Sequence, residues 1–258
     1  MPELPDLQVF SSNLNKKFSG KTLKKISIEN KKKLKNSVEE FKALEGKELK
    51  KIYREGKELY FQFSDKNILA MHLMLRGQLY FFEKKNTHKY AIAELLFDDD
   101  TALALTDFQG MANVHLNPEE SKAPDALADE MNTSFLKETL AAKKTVIKTV
   151  LLDQHIIRGI GNAYADEILW EAGISPFSAS NKIPSDKIKD LAAAIKKVLK
   201  DGEHQIKKEK PDIISGEVRD FLKIHNSHKT QSPTGAKIQQ KTIGGRKTYF
   251  TDEQELYK

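Results

Sequence analysis

The chain has 258 residues, with 43 Lys and Arg against 37 Asp and Glu, which gives a formal net charge of +6. This length is sufficient for two compact domains and a small additional module, and the mild basicity is compatible with a polyanionic partner without establishing one. The absence of cysteine excludes disulfides, thiolate metal ligands and thiol catalysis. The sequence has no apolar run long enough for a membrane span and no secretion signal, so we expect an intracellular protein without membrane association.

The N-terminal segment, MPELPDLQVF, predicts a helix over about residues 5–18 with Pro5 in its first turn. Pro2 precedes that helix. Removal of Met1 would give Pro2 a free secondary amine. An amine with a pKa near about 8 is partly unprotonated at neutral pH and can form a Schiff base with an aldehyde. From these residues alone, an ordinary helix start and a nucleophilic amine are both open interpretations.

Seven short runs of apolar or alternating residues, from TLKKISIE to TALALTD, follow between residues 20 and 116. Turn residues such as Gly56 and Gly77 separate them. Short strands at this close spacing predict a β-sandwich or barrel. Lys57 comes directly after the turn at Gly56, at the start of the run KELYFQF. Its amine is either presented at the rim of the sandwich or is one more solvated charge.

Residues 117–131 are polar and rich in turn residues, which predicts a linker, and the pattern is then helical to about residue 225. Four helices are predicted, from the segments SFLKETLAAKKTVIKTVLLDQ, YADEILWEAGI, PSDKIKDLAAAIKKVLKDGEHQIKK and SGEVRDFLKIH. In the first of these helices, Lys148 is predicted to lie outside the apolar stripe.

The stretch HIIRGIGNAYADE connects the first two predicted helices. Gly159 and Gly161 permit a tight turn there, and Asn162 is predicted to cap a helix that begins at Ala163. Exposed N–H groups at such a helix start, next to small residues, form a site that can bind a phosphate. A plain helix-loop-helix connection is the alternative.

The last segment, residues 226–258, contains two short alternating runs around Gly244 and Gly245, which predict a β-hairpin. An isolated two-stranded hairpin is barely stable in water, so this one must pack against or bind something. Arg246 lies at its tip. A guanidinium on a rigid turn is suited to bidentate phosphate contact, although exposed turn arginines without a role are equally common.

These stretches occur in one fixed order: PELPD, GK before a strand, HLMLRGQL, LTD, GIGNAYADEILWEAGISP and GGRKTYF. In this order they resemble the Fpg/Nei family of DNA glycosylases, over nearly the whole chain. The resemblance implies an α+β multidomain fold. Its parts would be an N-terminal helix plus β-sandwich catalytic domain (1–116), the linker (117–131), a helix-two-turn-helix DNA-binding domain (132–225) and a zincless finger β-hairpin (226–258). It also implies that DNA lies between the two larger domains.

The resemblance implies a bifunctional DNA glycosylase/AP lyase of base excision repair, which removes oxidised or ring-opened bases and cleaves abasic sites. Pro2 corresponds to the nucleophile whose amine attacks C1′, and Glu3 to the acid that assists sugar ring opening. The resulting Schiff base leads to β-elimination or to β/δ-elimination. The positions at which the family binds DNA phosphates correspond to Lys57, Asn162 and Arg246, with Gly161 beside them. Lys57 is also assigned to the catalytic centre.

The chain departs from the family pattern at the finger. The four cysteine positions of a zinc finger carry other residues here, so we expect no metal and no cofactor. Packing and phosphate contact must then hold Arg246 in place. The four substituted positions are Gln231, Thr234, Thr251 and Gln254.

A second departure lies in the side chains that fill the gap left by a flipped base. Leu75 stands where a Met is common, and Gly110 and Met111 replace an Arg and a Phe. Gly110 has no side chain to donate to the orphan base, so we expect weak selection of the opposite base. The segment before the hairpin is also short, which disfavours efficient removal of 8-oxoguanine.

Two other classes of protein compete with this interpretation. A non-catalytic binder of abasic or distorted DNA would need no amine nucleophile, so the Pro2-Glu3 pair argues against it. A ribosome-associated helical protein would lack the N-terminal sandwich and the terminal hairpin. The expected partner is damaged double-stranded DNA, and the expected state is a monomer in the cytoplasm or nucleoid of a prokaryote.

Overall fold

A computed structural model describes residues 1–30, 34–83 and 86–258 of the chain. They form two compact units. The first unit contains residues 1–2, 6–120 and 206–217, and the second contains residues 3–5, 121–205 and 218–258. Residues 3–5, at the start of the first helix, therefore belong to the second unit, and the segment 206–217 belongs to the first.

The first unit contains two helices, α1 (Leu4–Phe18) and α2 (Val38–Lys42), and two four-stranded antiparallel sheets. One sheet has the strand order β1-β6-β7-β5 and the other has the order β2-β3-β4-β8. This arrangement confirms the predicted β-sandwich. The strands are β1 (Leu23–Ile28), β2 (Leu49–Glu55), β3 (Glu58–Phe63), β4 (Ile68–His72), β5 (Gln78–Glu83), β6 (Ala91–Phe97), β7 (Thr101–Thr106) and β8 (Asn113–Leu116).

Alternating burial explains why these short runs become strands. In β3, Leu59, Phe61 and Phe63 are buried while the residues between them are partly exposed. This period of two places one face of the strand in the core. The core also takes in the apolar side of α1, where the rings of Phe18 and Phe97 lie 4.8 Å apart. The strand β8, which the sequence did not suggest, is only four residues long and pairs with β4.

The second unit is mainly helical and carries the hairpin. Its helices are α3 (Thr133–Ala141), α4 (Ile147–Leu152), α5 (Asn162–Glu171) and α6 (Ser185–Glu209), the last of which ends in the first unit. The hairpin consists of β9 (Gln239–Ile243) and β10 (Arg246–Phe250), joined by Gly244 and Gly245. Both glycines have a positive φ, 55° and 75°, as the predicted two-residue turn requires.

Two helix predictions were wrong. The segment predicted as one helix before residue 155 is divided into α3 and α4, because residues 145–146 pair with residues 179–180 instead of continuing the helix. The predicted fourth helix, SGEVRDFLKIH, does not form. The buried carboxylate of Glu167 accepts the N–H groups of Lys223, Ile224 and His225 at 2.7–2.8 Å, and these groups are therefore unavailable to a helix.

None of the helices in the described ranges combines the length and the hydropathy that crossing a bilayer demands.

Candidate functional site

The carboxylate of Glu3 is buried at the N-terminus of α5. One oxygen accepts the N–H of Gly161 at 2.9 Å and that of Tyr164 at 3.2 Å, and the other accepts the N–H of Ala163 at 2.9 Å. The first N–H groups of a helix have no partner within it and attract negative charge. Three donors therefore fix the position and orientation of the Glu3 side chain.

The glycines before α5 leave room for the N-terminal segment. A Cβ atom on Gly161 would lie 2.3 Å from Cδ of Glu3, and one on Gly159 would lie 2.6 Å from Cδ1 of Leu4. The backbone N–H of Leu4 also donates to the carbonyl of Gly159 at 3.1 Å. The sequence suggested an open phosphate site at this helix start. In the structure the N–H of Gly161 has a partner within the protein, the carboxylate of Glu3.

Asn162 links the start of α5 to the hairpin. It is the first residue of the helix rather than its cap, which is Gly161. Its Nδ2 donates to the backbone carbonyl of Lys247 at 2.9 Å, and its Oδ1 is buried without a hydrogen-bond partner among the described residues. Arg246, next to Lys247, is exposed at the first position of β10. The structure thus brings Asn162 close to the strand that carries Arg246.

A fully buried ion pair joins α4, α5 and the hairpin. Nζ of Lys148 lies 2.6 Å from Oδ1 of Asp166 and donates to Oγ1 of Thr248 at 2.8 Å. The other oxygen of Asp166 accepts the N–H of Tyr249 at 2.9 Å and lies 2.7 Å from Nδ1 of His225. Burial lowers the pKa of Lys148, although the charge of Asp166 opposes this effect. The prediction that Lys148 lies outside the apolar stripe was wrong, since its side chain is inaccessible to solvent.

Hydrogen bonds involve residues at the positions where the resemblance would place zinc-binding cysteines. Thr251 N donates to Oε1 of Gln254 at 2.9 Å, and Nε2 of Gln254 donates to the carbonyl of Ile174 at 2.8 Å. Oε2 of Glu253 accepts hydrogen bonds from Oγ1 of Thr251 at 3.1 Å and from Oγ of Ser232 at 3.3 Å.

Thr234 completes this set, because its hydroxyl lies 2.6 Å from that of Ser232. Hydrogen bonds, first of all from Thr234, lower the pKa of Glu253. These hydroxyl groups, the amide of Gln254 and the single carboxylate of Glu253 do not fit a structural zinc site, which takes thiolate and imidazole ligands. Among the described residues, no group of three or more His, Cys, Asp or Glu side chains could hold a metal ion.

In the first unit, Lys57 occupies the two-residue turn between β2 and β3, where Glu55 pairs with Glu58. It lies one residue before the strand that was predicted to contain it. Its charge acts on His72. Burial first of all, together with the charges of Lys57 and His115, lowers the pKa of His72 to about 4.

The residues predicted to fill the gap of a flipped base lie on two turns of the first unit. Leu75 is 60% exposed in the turn after β4, where Met74 N donates to Nδ1 of His72 at 2.9 Å. Gly110, with φ 63°, and Met111, 37% exposed, follow β7. Phe108, 63% exposed, precedes them and was not among the residues predicted from the sequence, although a large aromatic residue in a polar turn is a detectable signal.

Pro2 is buried, and the amine of Met1 forms an ion pair with Glu217. While Met1 is attached, the nitrogen of Pro2 belongs to a peptide bond and has no lone pair for nucleophilic attack. The predicted residues are thus divided between the units. Pro2, Lys57, Leu75, Gly110 and Met111 belong to the first unit, and Glu3, Gly161, Asn162 and Arg246 belong to the second.

Comparisons with protein families match most of the chain. Residues 1–114 match the formamidopyrimidine-DNA glycosylase N-terminal domain, and residues 123–213 match the formamidopyrimidine-DNA glycosylase H2TH domain. The formamidopyrimidine-DNA glycosylase of Carboxydothermus hydrogenoformans is 38% identical over 204 residues, which cover 77% of this chain and 76% of that protein. The protein of the same name from Lactobacillus helveticus is 30% identical over an alignment of 281 positions that covers both chains completely.

Solved structures support the same fold. The Lactococcus lactis Fpg in complex with abasic-site DNA superposes with a TM-score of 0.87 at 24% identity, covering 97% of this chain and 98% of that chain. A complex of the same protein with a THF-containing DNA and an inhibitor gives a TM-score of 0.88, also at 24% identity, covering 98% of this chain and 100% of that chain. At this level of identity, the likeness establishes the fold.

Proposed function

The chain belongs to the formamidopyrimidine-DNA glycosylase family, and we propose that it is a DNA glycosylase of base excision repair that also cleaves the strand at the abasic site. The glycosylase activity follows from the family. The lyase activity depends on a covalent intermediate at Pro2. The arrangement of Glu3 supports it, because a carboxylate fixed by three N–H donors directly follows the residue whose amine would react.

In the proposed reaction, the secondary amine of Pro2 attacks C1′ of the damaged nucleotide, and the base departs with the glycosidic electron pair. The amine loses its proton to the carboxylate of Glu3 as the bond to C1′ forms. Glu3 then passes that proton to the ring oxygen, so that the bond between C1′ and the ring oxygen breaks and the sugar ring opens. An iminium ion then links Pro2 to C1′ and acidifies the proton on C2′. Loss of that proton expels the 3′ phosphate, and hydrolysis of the iminium regenerates the amine of Pro2. A second elimination would release the sugar remnant.

Borohydride trapping on an abasic oligonucleotide tests this proposal. Borohydride reduces the iminium to a stable amine, so the form that begins at Pro2 should become covalently linked to the DNA. The form that retains Met1 should not be trapped, because its Pro2 nitrogen is an amide. Pro2→Gly should greatly reduce trapping. Equal trapping of the Met1-retaining form would contradict the role of Pro2.

Glu3 is tested separately with Glu3→Gln. This change keeps the size of the side chain but removes its proton-donating capacity, so base excision should slow by about 10²-fold or more. Glu39→Gln, at an exposed position of α2, is the matched control and should be without effect. A Glu3→Gln variant with full excision rate would remove Glu3 from the chemistry.

We also propose that Lys57, Asn162 and Arg246 bind phosphates of damaged double-stranded DNA. The protein is proposed to act as a monomer. Neutralisation of phosphates makes binding salt-dependent, with a slope of roughly −0.9 log units per log salt for each phosphate. Arg246→Ala should flatten the slope by about one unit, whereas Lys200→Ala, on the exposed side of α6, should leave it unchanged. An unaltered slope in Arg246→Ala would place Arg246 away from the DNA. Sedimentation of the complex should give one protein per duplex.

A non-catalytic binder of abasic or distorted DNA is the second candidate. The replacement of an Arg and a Phe by Gly110 and Met111 favours it, because a poorly filled gap offsets little of the cost of base flipping. A chain that keeps Met1 would also have no free amine on Pro2. Mass spectrometry of protein purified from its native host identifies the N-terminal residue. Retention of Met1 together with tight binding to abasic DNA and no trapped product would select the binder.

A further inference from the structure

Large apolar side chains are exposed at one end of the first unit. Among the described residues, Tyr90 and Phe108 are the most exposed of these side chains, at 64% and 63%. Scattered exposed apolar residues are ordinary, but several on neighbouring segments indicate a binding surface. In the described part of the chain, Leu75 and Met111 are the other exposed large apolar residues of this unit, and Leu256 is the one in the second unit.

The sheet β1-β6-β7-β5 explains why Tyr90 and Phe108 are neighbours. Thr106, the last residue of β7, is paired with both Gln78, the first residue of β5, and Ala91, the first residue of β6. The residues before β5 and β6 and those after β7 therefore lie at the same end of the sheet. Asp107 N donates to the carbonyl of Tyr90 at 3.0 Å, which ties the two segments together.

The backbone at Tyr90 and at Phe108 is held in a fixed conformation, which orients both aromatic side chains. Tyr90 has φ 62°, a left-handed conformation that persists in a bulky residue only where surrounding contacts impose it. Phe108 lies in a turn organised by the buried carboxylate of Asp107, which accepts the N–H groups of Gln109, Met111 and Ala112 at 2.8–2.9 Å.

Tyr90 and Phe108 line an open pocket of about 280 Å³. Tyr80 and His88 also line it, and their rings stack with 3.7 Å between centroids. The volume lies just below the usual range for ligand pockets, about 300–1,000 Å³, which suits one heterocyclic ring. Arg76 and Lys89 also line it, and none of the described residues that line it is an Asp or Glu. The pocket therefore combines flat aromatic surface with positive charge.

We propose that Tyr90 and Phe108 form a stacking site for one unstacked nucleobase of bound DNA, with Arg76 and Lys89 contacting the phosphates beside that base. Aromatic side chains take up bases by their π-faces without regard to sequence, and cations hold the backbone. This inference rests on the proposed function because it takes DNA as the ligand. It adds a site for a second base, apart from the one that is excised.

A fluorescent base tests the stacking. The probe is a duplex with 2-aminopurine opposite a tetrahydrofuran abasic analogue, since stacking on an aromatic ring quenches 2-aminopurine. Wild-type protein should quench the probe. The double variant Tyr90→Asn, Phe108→Leu should leave it bright and bind it roughly tenfold more weakly. Asn tolerates the backbone conformation of Tyr90, so the variant should fold, which circular dichroism verifies.

The matched control is Leu256→Ser, which removes an exposed apolar side chain from the second unit and should leave quenching unchanged. Absence of quenching by wild-type protein that binds the duplex, or equal quenching by the double variant, overturns the stacking site. The two proposals fail in different ways. Quenching without borohydride trapping contradicts the lyase mechanism alone, and trapping without quenching contradicts the stacking site alone.

Discussion

Gly161 and Glu3 are in such close contact that a side chain at position 161 would have to displace the carboxylate of Glu3. A Cβ atom on Gly161 would lie 2.3 Å from Cδ of Glu3 and 2.6 Å from its Oε1. The backbone of Gly161 is extended, with φ −120°, a conformation open to any residue. The glycine is therefore required by the carboxylate that it contacts rather than by its own backbone.

We therefore expect Gly161→Ala to displace Glu3 and slow base excision by about 10²-fold, the effect of a misplacement of about 1 Å at a reacting group. Overpacking should also cost about 1–3 kcal/mol of stability. Single-turnover rates and thermal unfolding measure the two effects. In a Glu3→Ala background the alanine meets no carboxylate, so the stability cost should disappear. If Gly161→Ala still lowers the stability in the Glu3→Ala background, a contact other than the one with Glu3 explains why residue 161 is a glycine.

This contact illustrates what the sequence could and could not predict. The alternation of β3 and the glycines of the hairpin act through local geometry, so the sandwich and hairpin were predictable. The occupant of the α5 N-terminus was not, because Glu3 is 158 residues away from Gly161 in the chain. The wrong helix at residues 215–225 has the same origin, since its N–H groups are taken by the distant carboxylate of Glu167.

The buried pair of Lys148 and Asp166 should be sensitive to the loss of one partner. Lys148→Met leaves the carboxylate buried without its cation, which should destabilise the second unit by about 3–5 kcal/mol. The double variant Lys148→Met, Asp166→Asn removes both charges and keeps an acceptor for Tyr249 N, so it should recover a large part of that loss. Denaturant unfolding measures both.

The same pair should support the hairpin that carries Arg246, because Lys148 and Asp166 both contact β10. We expect Lys148→Met to reduce the salt slope of DNA binding toward that of Arg246→Ala. A full wild-type slope in the folded Lys148→Met protein would show that the ion pair stabilises the core without positioning Arg246.

The finger should be independent of metal. EDTA should leave the unfolding temperature and the abasic-site cleavage unchanged, and elemental analysis should find no stoichiometric zinc. The hydrogen bonds around Glu253 should hold the finger instead, so Glu253→Gln should lower the unfolding temperature, whereas Asp252→Asn, at the neighbouring exposed position, should do so less. Loss of cleavage on chelation would contradict this account.

Acid should weaken the finger for the same reason. The folded-state pKa of Glu253 is lowered, so its stabilisation is present above its ordinary value of 4.5 and is lost as the pH falls through the folded value.

His72 should titrate near pH 4, well below its ordinary value of 6.5. The unfolded state then binds more protons between these values, so stability should decrease as the pH falls from 6.5 to 4, by up to about 3 kcal/mol. NMR of the imidazole measures the pKa. Lys57→Gln should raise it by removing a nearby charge, and Lys66→Gln, at an exposed turn, should not. A pKa near 6.5 in the folded protein would contradict the burial of His72.

Lesion preference should follow from the turn after β7. In the proposed complex, Gly110 offers no side chain to the orphan base, and the exposed side chains of Leu75 and Met111 are the ones predicted to fill the vacated position. A poorly filled gap offsets little of the unstacking cost of base flipping, which is a few kcal/mol. Abasic sites and ring-opened or non-planar bases, which stack badly or not at all, should therefore be processed faster than 8-oxoguanine, with little dependence on the opposite base.

Single-turnover rates on abasic, formamidopyrimidine, hydantoin and 8-oxoguanine duplexes, each opposite all four bases, measure this preference. Gln109→Arg is the informative variant, because it adds a guanidinium donor at an exposed position of the same turn, next to Gly110. A donor that reaches the orphan base should introduce a dependence on the opposite base that the wild type lacks. Rapid removal of 8-oxoguanine by the unaltered protein only when it is paired with cytosine would show that this turn already discriminates and that the missing side chain of Gly110 does not limit selection.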